Sequence, residues 1–386
     1  MRMLQTIAQE LRRFRSCSGR RRLGQPWLGA ALMLLSMVVM LASGCASQGS
    51  DGASAQNEHE LPIPSETSDM PTAVATEDDE TIQEETALAD RYSFKAPTLG
   101  GKQFWTDLVY SHGWRIQKHA WWDFYRLIDP RNRLEKTGTW NECELALQDV
   151  MQREKLAPMR GEAIIVLHGL GRSRSSMQSL ADMLAENGDW HVINVEYAST
   201  RRELHEHAAA LASVIDHLPQ MNRFHFVGHS MGNLVVRHYL GDMLSKNEGR
   251  VDPRIGRIVM LAPPNQGSQL AHKFRRNPFF HLVWGKSGKQ LSKNWDQVES
   301  HLAVPPGEFG IIAGGERKTL SSNPLLSGDD DLVVTVEETK LAGAADFLVV
   351  PAAHTFIMNR DDVQKATLRF FREGYFVSPE QRRPLE

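Results

Sequence analysis

The stretch Phe224 to Asn233, reading F-H-F-V-G-H-S-M-G-N, restricts this chain more than any other ten residues in it. Phe224, Phe226 and Val227 around His225 form a short alternating apolar run that suits a strand. The run breaks at Gly228, and helix formers resume from Leu234 to Leu240. The expected unit is therefore strand, sharp turn, helix. Its turn carries Gly228-His229-Ser230-Met231-Gly232, a G-x-S-x-G pattern that lifts the serine hydroxyl clear of a sheet. A non-glycine residue at so sharp a turn is forced towards positive φ. Its neighbours two positions away crowd the strand and helix unless they lack a β-carbon. Five residues with three fixed also recur in unrelated loops, so the weight rests on the strand before and the helix after.

The surrounding sequence alternates in the same way. Strands are expected at Ala163 to Leu167, His191 to Val195, Phe224 to Val227, Ile258 to Leu261, Gly310 to Ile312 and Phe347 to Val350. Between the first three lie helical patterns. Met177, Leu180 and Leu184 share one face and stop at Gly188; Leu204, Leu211, Ile215 and Leu218 share another and stop at Pro219. Strands alternating with helices imply an α/β fold, a mostly parallel sheet with helices on both faces. Val363, Ala366 and Phe370 with Gly374 beyond them read as a closing helix.

Residues 1–44 read as a targeting segment. Arginines crowd Arg12 to Arg22, and an uncharged run from Pro26 to Gly44 follows, ending in Leu41-Ala42-Ser43-Gly44-Cys45. Small residues before a cysteine resemble the lipobox of bacterial lipoproteins, with Ala42 where Leu is commoner. That resemblance implies acylation of Cys45; the other reading is an uncleaved N-terminal transmembrane anchor, since the run approaches bilayer length. Either places the rest of the chain outside the cytoplasm, tethered to a membrane. Residues 45–90 turn to Ser, Thr, Pro, Ala and acids, with no Lys or Arg between Asp51 and Asp90. Such a stretch buries too little to offset its ordering entropy and reads as an acidic disordered tether, with an r.m.s. span of roughly 35 to 40 Å. Of three cysteines, Cys17 would leave with a signal and Cys45 would carry lipid, so Cys143 is expected as a free buried thiol. A net charge of −3 without basic clusters beyond the targeting segment gives no electrostatic case for nucleic acid.

Residues 91–161 are rich in aromatic side chains, among them Trp105, Trp114, Trp121, Trp122, Phe124 and Trp140, which are expected in a core rather than a ligand cage. Extended runs near Trp114 to Gln117 and Phe124 to Ile128 suggest a hairpin. Asn141 can cap a helix through Leu145, Leu147, Val150 and Met151, making an N-terminal elaboration on the main sheet.

Val166-Leu167-His168-Gly169-Leu170-Gly171 falls at the end of the first strand of 162–386, where an acyl-transfer enzyme needs amides aimed at a developing oxyanion. Leu170 N–H and Met231 N–H are the candidates. A strand-to-helix turn without a ligand would also accommodate H-G-x-G. With both motifs in hand, the chain resembles the α/β-hydrolase family, and within it the lipase and esterase group that combines an H-G-L-G loop with G-H-S-M-G. The resemblance covers roughly Ala163 to Thr355 and implies a Ser/His/Asp triad in the chain order serine, acid, histidine. On that order Ser230 is the nucleophile and His354, the only histidine after Asp331, is the base. His229 belongs to the framework of the turn, and His205 and His207 face different ways on a helix and make no metal pair. For the acid, Gly328-Asp329-Asp330-Asp331-Leu332-Val333-Val334 resembles the family's Asp-Gly-x-Val segment with Asp331 as triad member, although Leu332 stands where that segment has glycine. Asp330 is second choice and Asp329 third, and the two not used are expected to be solvated loop acids.

Residues 262–327 exceed what a strand crossing requires. They open with Pro263-Pro264-Asn265-Gln266-Gly267-Ser268, which resembles a loop beside lipase active sites, and hold Phe279, Phe280, Leu282, Val283 and Trp284. They read as a cap, or else as an extra core helix. The expected activity is hydrolysis of carboxylic, including lipid, esters through an acyl-enzyme, with no metal and no cofactor. An amidase, thioesterase or acyltransferase could use the same triad, and from a different class the chain could be a non-catalytic membrane-tethered binding module. For the N-terminus, mass spectrometry of the mature protein is expected to find a lipid-modified cysteine at position 45. An intact Met1, or a lipid-free terminus elsewhere, would sink that reading.

Overall fold

The computed structural model describes residues 103–315 and 323–386, with side chains at 278–283 excepted. The expected targeting segment, tether and Cys45, together with the side chains of Phe279 to Val283, lie outside what is described. Among the described residues no helix is long and apolar enough to cross a membrane.

Four antiparallel strands come first: β1 (Trp105–Ser111), β2 (Trp114–His119), β3 (Tyr125–Ile128) and β4 (Leu134–Gly138), paired in chain order. The expected hairpin is thus the centre of a larger sheet. Helix α1 (Trp140–Arg153) follows and is capped by Thr139, not Asn141. Thr139 Oγ1 accepts the Glu142 amide while the Glu142 carboxylate accepts the Thr139 amide, a reciprocal pair that fixes the start two residues earlier than the Asn would. This unit has its own core of Val109, Trp114, Ile116, Leu127, Cys143, Leu147 and Val150, and Cys143 is a free buried thiol within it. Not all its aromatic residues are core. Trp121 and Trp122 are 55% and 65% exposed on the β2–β3 connection, where Trp122 stacks on His119 at 4.5 Å.

The remaining elements in order are β5 (Gly161–Leu167), α2 (Gln178–Glu186), β6 (Trp190–Val195), α3 (Leu204–Asp216), β7 (Met221–His229), α4 (Met231–Lys246) and β8 (Ile255–Leu261). Then come α5 (Gln269–Lys273), α6 (Pro278–Lys293), α7 (Trp295–Glu299), β9 (Phe309–Gly314), α8 (Val336–Thr339), β10 (Asp346–Val350) and α9 (Asp361–Glu373). The six later strands are parallel in the order β10-β9-β8-β7-β5-β6, and they include all six expected from the sequence. Alternation along β5 feeds two cores. Ile165 and Leu167 pack with residues of α3 and α4, whereas Ile164 and Val166 pack with α2 and α9. Because β9 returns to the sheet at Phe309, the excursion after β8 ends at residue 308 rather than 327. The closing helix α9 ends, as its pattern implies, with Gly374 at φ 81.

Two histidines are folded into this interior. His207 on α3 has its pKa pushed down to about 3, chiefly by burial, and His229 at the end of β7 is held well below its ordinary value for the same reason. The sign of the linkage follows. As pH falls below about 6.5 the unfolded chain protonates both rings while the folded chain resists it, His207 down to about pH 3, so stability falls as pH falls. Between pH 6 and 5 the part of the loss due to His207 is expected to be on the order of 1 kcal/mol, and His207→Gln to remove that part. Urea unfolding at the two pH values measures it; an unchanged loss in the variant would contradict the assignment.

Candidate active site

Ser230 sits between β7 and α4 with φ 53 and ψ −123, a conformation that L residues avoid. The neighbouring glycines make it possible. A β-carbon on Gly228 would lie 2.5 Å from Asn233 Oδ1, and one on Gly232 would lie 2.7 Å from the Leu167 carbonyl. The strained backbone is pinned on both sides of the serine. Ser230 N–H donates to Leu261 O at 2.9 Å, and the Asn233 side-chain amide donates to Ser230 O at 3.0 Å and to Leu261 O at 3.2 Å. Neighbouring β8 thus holds the turn that β7 ends in.

The structure brings His354 and Asp331 to this serine. His354 follows β10 and opens a 3₁₀ turn, and its Nε2 accepts from Ser230 Oγ at 2.9 Å. Its Nδ1 donates to Asp331 Oδ2 at 2.6 Å, and its backbone N–H donates to Asp331 O at 2.9 Å, so the two loops meet at two points. A carboxylate can only accept, so Nδ1 carries the proton and Nε2 presents its lone pair to the serine. Asp331 is fully buried, and its other oxygen, Oδ1, accepts the amides of Val333 at 3.0 Å and Val334 at 2.7 Å.

The three adjacent acids do three different things. Asp329 is exposed. Asp330 is not the solvated loop acid expected of it. It is 2% exposed, and its carboxylate accepts the amides of Leu332 at 2.8 Å and Asn323 at 3.2 Å, closing the loop beneath Asp331. Leu332 has φ 85, so the turn keeps the left-handed backbone that glycine would adopt without strain. The turn that aims two amides at Asp331 is made with a leucine.

His229, set aside as a base, faces the other side of the site. Its Nε2 donates to the His354 carbonyl at 2.9 Å, and Nδ1 is buried without a hydrogen-bond partner. A neutral ring fits that role, since burial disfavours the charged form. Nothing in the sequence pattern distinguished this brace from any residue at the x position of the turn.

The H-G-L-G turn after β5 runs past the serine. A β-carbon on Gly169 would stand 2.9 Å from His229 Nδ1 and 3.1 Å from Ser230 Cβ, so this turn packs closely on the elbow. Met231 opens α4, where first-turn amides lack intrahelical acceptors. The excursion after β8 reaches the same turn. Helix α6 is broken at Gly285 (φ 61, ψ −147), and the part beyond the break is bonded to the segment after β6 through Lys286 N–H to Thr200 O at 3.0 Å and Ser287 Oγ to Arg202 O at 2.7 Å. Trp284, just before the break, lays its ring on Gly171, where an added β-carbon would meet it at 2.6 Å. Among the described residues no cluster of His, Cys, Asp or Glu is placed to hold a metal ion.

Residues 131–286 match a family described as a domain of unknown function, DUF7379. No curated protein sequence matches the chain. Solved structures similar to it include the Bacillus licheniformis lipase BlEst2 in mature form, at 16% identity and TM-score 0.39 over 51% of this chain and 86% of that one. A metagenomic carboxyl esterase, MGS0156, is 17% identical at TM-score 0.39 over 51% and 65% of the two chains. The phospholipase PlaB from Legionella pneumophila in complex with thio-NAD is 19% identical at TM-score 0.38 over 46% and 44%. The parallel strand order, the turn between β7 and α4 and the two loops that follow β9 and β10 give this chain the α/β-hydrolase fold.

Proposed function

We propose that the protein is a serine hydrolase of carboxylic esters in which Ser230 is the nucleophile, His354 the general base and acid, and Asp331 the residue that orients the imidazole. The observation that carries this reading is the unbroken hydrogen-bonded series from Ser230 Oγ through His354 to buried Asp331, at 2.9 and 2.6 Å, starting from a serine in strained backbone. Such strain is retained where the surrounding structure over-determines it, as it does at functional sites.

In the proposed reaction Ser230 Oγ bonds to the ester carbonyl carbon while its proton passes to His354 Nε2. The carbonyl oxygen becomes an oxyanion held by Leu170 N–H and Met231 N–H. Collapse of that intermediate breaks the carbon–oxygen bond to the alcohol, which leaves with the proton from the imidazolium. Water, deprotonated by His354, then releases the acid from the acyl-serine. Asp331 stays ionised throughout and favours the imidazolium as it forms. If Cys45 or the N-terminal apolar run anchors the chain, these steps take place outside the cytoplasm at a membrane surface, where esters of lipids are at hand.

Four substitutions test the roles. Ser230→Ala or His354→Ala is expected to lower turnover of an activated ester by on the order of 10⁵ or more, with folding retained. Asp331→Asn should cost on the order of 10⁴ and Asp329→Asn little, because only the former resets the tautomer. A Ser230→Ala enzyme that keeps most of its activity would rule out the mechanism.

Substrate class follows from Trp284. Its ring on the H-G-L-G turn offers an apolar wall at the site, and each buried methylene contributes about 0.8 kcal/mol. Two or three methylenes realised in the transition state would raise kcat/KM roughly ten- to a hundredfold. p-Nitrophenyl esters from C2 to C12 are expected to favour medium or longer chains, less so after Trp284→Ala. A profile that peaks at acetate, or one the variant leaves alone, would return this tryptophan to a purely structural role.

A further inference from the structure

The amide of Leu170 shares a peptide unit with the carbonyl of Gly169. A trans peptide is planar, so its C=O and N–H point in opposite directions, and whatever holds the carbonyl sets the aim of the amide. Two donors hold that carbonyl: His168 Nδ1 at 2.9 Å and Arg172 N–H at 3.2 Å. Arg172 is held in turn by a residue from outside the parallel sheet. Gln103, two residues before β1, donates its Nε2 to Arg172 O at 2.6 Å.

The other end of the Gln103 amide grips the neighbouring segment. Its Oε1 accepts from Ser199 Oγ at 3.3 Å and from Thr200 Oγ1 at 3.0 Å, and Ser199 Oγ itself accepts the Gly171 amide at 3.1 Å. Beta strand β1 fastens the same segment further back. Asp107 N–H donates to Glu196 O at 2.9 Å, Glu196 N–H donates to Asp107 Oδ2 at 2.7 Å, and Ala198 N–H donates to Thr106 Oγ1 at 3.1 Å. The segment from Glu196 to Thr200 passes this on to the turn, with the Tyr197 ring stacked on His168 at 4.1 Å and its hydroxyl bonded to His168 O. The H-G-L-G turn is thus tied to Gln103 through Arg172 and Ser199, and to β1 through the Glu196 to Thr200 segment.

We propose that Gln103 is a positioning residue for the oxyanion-binding amide of Leu170, and that the N-terminal sheet thereby serves the reaction. This rests on the reading that Leu170 N–H stabilises the oxyanion. Gln103 suits the role because one side-chain amide supplies both a donor to the turn and an acceptor to the adjoining segment. Glutamate keeps the length and the acceptor but places a carboxylate against the Arg172 carbonyl, and alanine removes both contacts.

The test is steady-state hydrolysis of p-nitrophenyl butyrate by the full chain, together with the inhibition constant of an alkyl trifluoromethyl ketone. The tetrahedral adduct of that ketone needs the oxyanion donors, whereas ground-state binding of the ester does not. Gln103→Ala and Gln103→Glu are expected to lower kcat on the order of 10- to 100-fold, as small misplacements of reacting geometry do, with KM within about threefold. The inhibition constant should rise by the same factor as kcat falls. Ser199→Ala should shift both in the same direction, and the Gln103→Ala/Ser199→Ala pair should cost less than the product of its parts, since the two act through one set of bonds. Wild-type kcat and inhibition in Gln103→Ala would overturn the proposal. So would a change confined to KM, or a Gln103→Ala chain that no longer folds, since that would give Gln103 to the fold. Ser230→Ala is run beside them: an active Ser230→Ala enzyme would bring down the underlying reading, while an inactive one beside an unaffected Gln103→Ala would bring down this inference alone.

Discussion

Everything at the site depends on one residue held where an L-amino acid does not readily go. Ser230 at φ 53 costs on the order of 1 to 3 kcal/mol, and the neighbours that offset it define the rest of the architecture. Gly228 and Gly232 must lack β-carbons because Asn233 and the Leu167 carbonyl occupy that space. Leu261 on β8 must accept the serine amide, which requires β8 to run parallel to β7 and in register with it. The turn after β5 must pass close enough that Gly169 touches the serine, so β5 has to flank β7 on its other side. Strand order around β7 is thus a consequence of the elbow as much as its cause.

The loops that deliver His354 and Asp331 show a different economy. Both follow strands on the far side of β8, and they meet through a backbone bond as well as the side-chain pair. That backbone bond fixes the distance between the loops before the imidazole is considered. Asp330 and Leu332 tighten the acid loop, and His229 reaches across from the elbow to the His354 carbonyl. The imidazole is therefore located by groups on two other elements, the acid loop and the turn after β7, and neither backbone bond needs a charge on the ring.

What the sequence made legible was whatever rests on local pattern. The six parallel strands are apolar runs, and the closing helix has its face and its glycine, so periodicity found them. Ser230 was legible because its glycines are demanded at fixed spacing, and His354 and Asp331 because a resemblance supplied the chain order. The misses have non-local causes. Asp330 looks like any acid in an exposed triplet, but it is buried, with Asn323 returning to bond its carboxylate. Thr139 took the cap from Asn141 through a bond to Glu142 whose register the sequence allows at either position. Trp121 and Trp122 were assigned to a core by composition, yet they lie on a short connection where neighbouring rings cover them only in part. The links from Gln103 to Arg172 and Ser199 span 69 and 96 positions, and no local pattern encodes them.

The central claim is that Ser230 is an activated nucleophile, and a fluorophosphonate probe asks that question most directly. Full-length protein treated with the probe at neutral pH and digested for peptide mapping is expected to carry one phosphonyl group, on Ser230, with labelling abolished by His354→Ala. Folded protein that remains unlabelled, or that carries the label on a different residue, would contradict the account.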